Sequence, residues 1–262
     1  MAYNLLNLCQ DTLEKGVVHA FEEESTLFTA LPVIEVSGSA YAFNQVEESL
    51  TVEKRNLGED IVNIQEMVTN KVVQPLEIFA NSIKVDRSLV LMSSTDVRAE
   101  ESLIQSKSLA RACHKEIINY LRENAGIKVT TASKTIKADD VADAMDDMKM
   151  GKEMLLMAHP KTLRELTKEA QTNGYLYSNK DAFGKVIPHF NGVPCVPTHD
   201  LEIGQVLVIN CDASEGSAIA TNGGVRVYDR ALQGVNYITD VEILFTPVIK
   251  NKNSVVFVEA AK

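Results

Sequence analysis

The chain of 262 residues has no tryptophan, and its aromatic residues amount to only 6%. That leaves little material for a carbohydrate platform or a base-stacking surface. Cysteine is scarce too: Cys9, Cys113, Cys195 and Cys211 lie far apart, with no Cys-x-x-Cys pair and no histidine at a matching spacing. Free thiols in a reducing compartment fit this better than a disulfide frame or a zinc site. Basic residues are outnumbered, 26 Lys and Arg against 36 Asp and Glu, for a net charge of −10. A broad nucleic-acid surface needs clustered cations that displace counterions from phosphate, and the balance here opposes one. Long hydrophobic runs are also missing. Val206-Leu207-Val208-Ile209 and Val255-Val256-Phe257-Val258 are far too short to span a bilayer, and no basic segment followed by an apolar stretch opens the chain. The expectation is a soluble protein, intracellular when made.

What is present is an ordinary globular composition, 45% hydrophobic and 24% charged, enough for one large or two modest cores. Leu5, Leu6, Leu8, Leu13, Val17 and Phe21 follow a loose helical spacing that Glu22-Glu23-Glu24 interrupts. From Leu31 to Val46 the period changes to two, with Ile34, Val36, Ala40, Ala42, Asn44 and Val46 on one parity and Ser37-Gly38-Ser39 as a bend. The charged stretch Ser49–Asp60 reads as a solvated tip, and Ile61, Ile64, Met67 and Val68 lead back. Such a half-polar hairpin cannot bury both faces in its own subunit. Ser93-Ser94-Thr95-Asp96 then caps a long helix on which Leu103, Ser106, Ala110, Cys113, Ile117 and Tyr120 recur at three and four residues until Asn124-Ala125-Gly126. A second helix over 139–150 carries Val141, Ala144, Met145 and Met148 on its apolar face. Its five aspartates, Asp139, Asp140, Asp143, Asp146 and Asp147, lack the Gly turn and ligand spacing of a calcium loop and read as a solvated face.

The second half holds an ordered pair of segments. Met154-Leu155-Leu156-Met157-Ala158 reads as a buried strand that stops where His159-Pro160 opens a helix, because proline lacks an N–H that a first turn leaves unbonded. Phe190-Asn191-Gly192-Val193-Pro194-Cys195-Val196-Pro197-Thr198 reads as a turn into a short strand. Asn222-Gly223-Gly224-Val225 has the composition of a hairpin turn, and the two extended runs of 238–260, separated by Lys250-Asn251-Lys252-Asn253, read as a closing hairpin. No repeat or linker divides the chain, so the class is α+β.

Catalytic chemistry finds no constellation. There is no Gly-x-Ser-x-Gly, and Ser217 in Glu215-Gly216-Ser217-Ala218 sits in no nucleophile elbow. Cys195 beside His189 or His199 suggests a dyad, but Pro194-Cys195-Val196-Pro197 is an extended stretch where a small buried thiol is the commoner occupant. His159, His189 and His199 lack the fixed spacing of a metal pair, and Asn222–Val225 matches no phosphate-binding glycine pattern. The sequence offers no catalytic, cofactor-binding or metal-ligating residue, and no cofactor.

The Leu156-Met157-Ala158-His159-Pro160 segment, the Gly192-Val193-Pro194-Cys195-Val196-Pro197 segment and the later Val227-Tyr228-Asp229-Arg230, in this order, resemble the tailed-phage major capsid proteins of the Hong Kong 97-like fold. The resemblance implies an N-terminal arm over 1–28 and an extended β-hairpin loop over 29–70. It further implies a peripheral domain over 71–137 with a spine helix at 95–124, an axial domain over 138–233, and a return to the peripheral domain over 234–262. The implied function is structural: a head subunit that self-assembles into pentamers and hexamers of an icosahedral shell. That shell encloses double-stranded DNA without sequence-specific binding. Scaffolding, portal and decoration proteins are the implied partners, with no membrane, and the implied locations are the virion and, during assembly, the host cytoplasm. The chain reaches its loop by about residue 30 without a long scaffolding segment, and Lys54 is of the type that some members crosslink, though no partner asparagine or glutamate can be matched to it. The alternative is an encapsulin-type cellular compartment, which shares the fold and packages an enzyme through a peptide. A soluble enzyme with a ligand pocket is a third reading.

Overall fold

The structure is a computed structural model that describes residues 16–21, 24–46, 69–92, 97–148, 151, 153–173, 176–180, 186–232 and 236–261. A helical turn at 16–21 leads to α1 (Thr26–Ala30), β1 (Val33–Glu35), β2 (Ala40–Val46), β3 (Thr69–Pro75) and β4 (Glu77–Asp86). Helices α2 (Arg87–Met92) and α3 (Val97–Glu123) follow, then β5 (Ile127–Thr130), α4 (Ala138–Asp146), β6 (Met154–Ala158) and α5 (Pro160–Asn173). The remainder is strand: β7 (Leu176–Lys180), β8 (Val186–Phe190), β9 (Val193–Pro197), β10 (Gln205–Asn210), β11 (Ser217–Leu232), β12 (Asn236–Ile249) and β13 (Val255–Glu259).

The unbroken apolar runs of β10 and β13 are explained by their place in a seven-stranded sheet of order β5-β13-β10-β6-β9-β8-β7. A strand covered on both faces has no solvent side to alternate toward. Val206, Val208, Val256, Val258, Leu156 and Ala158 point into one core with Val141, Met145 and Leu166 of α4 and α5. Their odd-numbered neighbours Leu207, Ile209, Val255, Phe257, Leu155 and Met157 point into the other, shared with α3. Register enforces this sorting, since Val206 pairs with both Val258 and Ala158, and a one-residue slip would exchange the two faces.

The second sheet has the order β1-β11-β12-β4 and packs against α3. At about 1.5 Å per residue, the 27 residues of α3 make a rod of about 40 Å. The expected span of 95–124 nearly coincides with it, while the caps expected at 93–96 lie outside the described residues. Ser106, Ala110, Cys113 and Ile117 are buried as the spacing predicts, but Leu103 is 38% exposed. The buried face instead passes through Ser102 and Gln105, and Gln105 Nε2 donates to the carbonyls of Thr239 (3.0 Å) and Asn81. That polar anchor fixes the helix on β12 and β4. On α4 the apolar face is buried as expected, and Asp140 caps the helix by accepting from the Lys137 N–H at 3.2 Å.

Two expected turns differ. Gly223 and Gly224 take φ of 76° and 67°, yet the strand continues through them as a bulge with a register shift between Thr221 and Val225. Consecutive glycines admit positive φ at little cost, and Arg226 Nη2 pins the offset by donating to the Asn222 carbonyl (3.0 Å) and Oδ1 (3.2 Å). The closing hairpin is not one either. β12 lies in the four-stranded sheet, whereas β13 crosses to the seven-stranded sheet, antiparallel to β10 and parallel to β5. A 3₁₀ turn at Lys252–Ser254 makes the crossing, with the Gly126 N–H donating to the Lys252 carbonyl at 3.1 Å. Sheet membership therefore does not follow the boundary expected at 233: β11 sits with β4 and β12, while β13 sits with β6 and β10.

Candidate assembly interface

β2 and β3 form a two-stranded sheet of their own, paired from Ala40↔Pro75 to Val46↔Thr69. Only its base is tied to the body. Phe43 joins Ala220 and Val248 in a small core that Tyr41 and Val72 flank, and the Tyr41 and Phe43 rings stack at 5.6 Å. Gln45 Nε2 donates to the Ile249 carbonyl at 3.2 Å, and Gln74 Nε2 bonds the Tyr120 hydroxyl of the spine. Beyond that base Ala42, Asn44, Asn70 and Lys71 are exposed, and Val73 is 57% exposed. Two strands with an exposed apolar side chain and neither outer edge paired among the described residues lack the burial that normally stabilises a sheet. Covering by another molecule supplies it. The tip expected at Ser49–Asp60, with Lys54, lies outside the described residues.

A second surface lies where the N-terminal segment crosses the four-stranded sheet. Val18, Phe21, Phe28, Val33 and Ile243 surround a cleft of about 370 Å³ whose wall includes Gly224 of the bulge. The rings of Phe21 and Phe28 meet edge to face at 5.1 Å, and Phe28 in turn meets Phe245 at 5.5 Å. The segment is held along the spine by Ser106 Oγ donating to the Val17 carbonyl at 2.6 Å and by Arg111 Nε on Glu24 Oε1 at 2.7 Å.

The residues weighed for chemistry are scattered. Ser217 opens β11 with a buried hydroxyl that has no partner among the described residues, so nothing activates it. Cys195 lies opposite Leu156 in the sheet, inside the α4–α5 core, while His189 faces Pro194. His159 and His199 do come together, ring edge to ring face at 5.4 Å, but no group of three His, Cys, Asp or Glu side chains among the described residues is placed to hold a metal. One contact that the sequence does not signal is His114 Nδ1 to Asp200 Oδ2 at 2.8 Å, with Thr26 Oγ1 3.3 Å from Nε2. Residues this far apart on a helix, a loop and a short turn share no spacing that a sequence pattern registers.

Burial pushes the thiols of Cys113 and Cys211 up to about 12 and that of Cys195 to about 11. A thiolate is the reactive form, so these three should resist alkylation at pH 8 in the native protein, as peptide mapping after brief iodoacetamide treatment would show. The linkage sign also follows. The unfolded chain loses its thiol protons near 9 and the folded one only above 11, so stability contributed by the protonated thiols is complete below pH 9 and declines above it. Urea midpoints falling between pH 9 and 11, and falling less in a Cys113→Ala variant than in the parent, would check this.

Comparison with known proteins places the geometry. The family model of the type 2A encapsulin shell protein, SrpI-like, matches residues 108–219. The holo-SrpI encapsulin complex from Synechococcus elongatus superposes with a TM-score of 0.72 at 17% identity, covering 89% of this chain and 86% of that one. The virus-like particle from Pyrococcus furiosus gives 0.70 at 14% identity over 95% of this chain and 98% of that one. The capsid of the cyanophage P-SCSP1u gives 0.64 at 13% identity over 89% and 87%. No curated protein sequence matches the chain significantly. The fold is the α+β Hong Kong 97-like shell fold, shared by encapsulins and phage capsids. The matching family is one of structural shell subunits, and the chain is not an enzyme. The expectation of a tailed-phage head is overturned here. Phage capsids share the fold, but the family model that matches, and the SrpI structure with its higher TM-score, belong to encapsulins.

Proposed function

We propose that this chain is the shell subunit of an encapsulin-type compartment, a self-assembling container that encloses a cargo protein in the cytoplasm. The match of residues 108–219 to the type 2A encapsulin shell family carries the reading. It spans the spine, both helices of the seven-stranded sheet and the strands up to the start of β11, the part of the chain that builds both cores. In this reading the seven-stranded sheet with α4 and α5 is the axial lobe, the four-stranded sheet with α3 is the peripheral lobe, and the β2–β3 hairpin is the extended loop that reaches a neighbour. Subunits then meet through heterologous contacts that close into rings and a shell. Interfaces of about 1,600 Å² each, weak singly, sum through multivalency to a stable wall.

Contents separate a compartment from a viral head. Shells purified from the native host by sedimentation should carry a stoichiometric protein and only trace nucleic acid, read by mass spectrometry and by the ratio of absorbance at 260 and 280 nm. Shells filled with DNA and empty of a second protein would refute the proposal.

A further inference from the structure

His114 is 8% exposed and touches three separate parts of the fold. It belongs to the spine. Its Nδ1 lies 2.8 Å from Asp200 Oδ2, in the loop that leads from β9 into the central strand β10, and its Nε2 lies 3.3 Å from Thr26 Oγ1 in the N-terminal segment. The Asp200 loop is itself ordered from the sheet: the Thr198 N–H donates to the Ala158 carbonyl at 2.9 Å, and the Asp200 N–H donates to Thr198 Oγ1 at 3.2 Å. The N-terminal segment follows the spine through Val17 on Ser106, Glu24 on Arg111 and Thr26 on His114. Of these three contacts, the one at His114 continues into the seven-stranded sheet.

An imidazole joins its two partners electronically and sterically. A carboxylate only accepts, so Asp200 holds the proton on Nδ1 and fixes the plane of the ring, which leaves the Nε2 lone pair aimed at the Thr26 hydroxyl. With Asp200 gone, neither the tautomer nor the ring angle is held, and Thr26 loses a directed acceptor. With Thr26 gone, the ring is free to turn away from Asp200. From this geometry we infer that His114 couples the docking of residues 16–30 to the seating of the seven-stranded sheet on the spine, so that releasing one loosens the other. This device is independent of what a shell encloses. Such coupling is reciprocal by thermodynamic necessity.

Hydrogen–deuterium exchange on the full chain, with parent and variants compared in the same assembly state, tests it. Asp200→Ala should accelerate exchange of the 24–31 amides, which Asp200 does not touch, by at least about fivefold, the lower range of measured couplings. Thr26→Val, nearly isosteric, should accelerate the 198–205 amides by a similar factor. Amides of β10 and β13 serve as the control and should not change in either variant. Acceleration confined to the substituted element, or spread equally into β10 and β13, would overturn the coupling; the second variant decides the matter if the first does not fold.

Discussion

Replacing residues 49–60 with two glycines should give a protein that folds normally and fails to close into shells. The monomer has little to lose there. The hairpin's contribution to folding is concentrated at its base, in the stacked pair Tyr41 and Phe43, the Ala220–Val248 contact and the two glutamine anchors. Past that point the described strands turn exposed side chains outward on both edges. Loss of a solvated tip should shift the unfolding midpoint by no more than about 2 °C, the change that roughly 1 kcal/mol produces in a domain of this size. Assembly stands in contrast, because each subunit repeats the missing contact around the whole shell and a multivalent wall loses it at every position. Light scattering and electron microscopy of the variant should therefore show free subunits or small rings. An unfolded product, or shells indistinguishable from the parent's, would contradict the role given to the hairpin.

The largest expected effect on stability is at Phe245. Its ring is 1% exposed and lies between Phe28 of the N-terminal segment, at 5.5 Å, and Phe79 of β4, at 5.0 Å. It thus joins β12, β4 and the segment that rides on the spine. Phe245→Ala should cost about 3–5 kcal/mol, the transfer free energy of the ring plus the cavity left behind. Against a total of about 5–15 kcal/mol that is enough to bring a subunit close to unfolding. Ile104→Ala on the exposed side of the spine, where the residue is 66% exposed, should change stability by less than about 0.5 kcal/mol. Equal urea midpoints for the two variants would show that the aromatic cluster is not a determinant of the core.

The individual elements were far more legible than their partners. Apolar runs at 206–209 and 255–258 announce strands covered on both faces, and Pro160 announces a helix start, because those signals depend only on neighbouring residues. Whether Val255–Glu259 pairs with β12 or crosses to β10 depends on which partner is exposed after everything else has folded. Local turn chemistry at Lys250–Asn253 is equally compatible with both. The glycine pair at 223–224 misleads for the same reason, since positive φ serves a bulge as well as a hairpin, and only the continued pairing to β12 decides. At the level of function the shell fold was readable from ordered segments around His159-Pro160 and Gly192–Pro197. The choice between genome and cargo was not, because both kinds of container need the same wedge with the same two cores, and their difference lies in what meets the inner wall.

The path of β13 has a further consequence for synthesis. Val256 pairs with Ile127 across about half the chain, and β10 has β13 as its neighbour on the side away from β6. During translation β5 and β10 are made well before the strand that joins them, so until residues 255–259 emerge β10 presents an open apolar edge and β5 has nothing to pair with. Open edges of this kind recruit other strands, and distant pairings close slowly. A nascent subunit is consequently not ready for its neighbours at any earlier point. Sheet closure acts as a checkpoint that places shell growth after synthesis, which keeps half-made chains on adjacent ribosomes from being built into the wall.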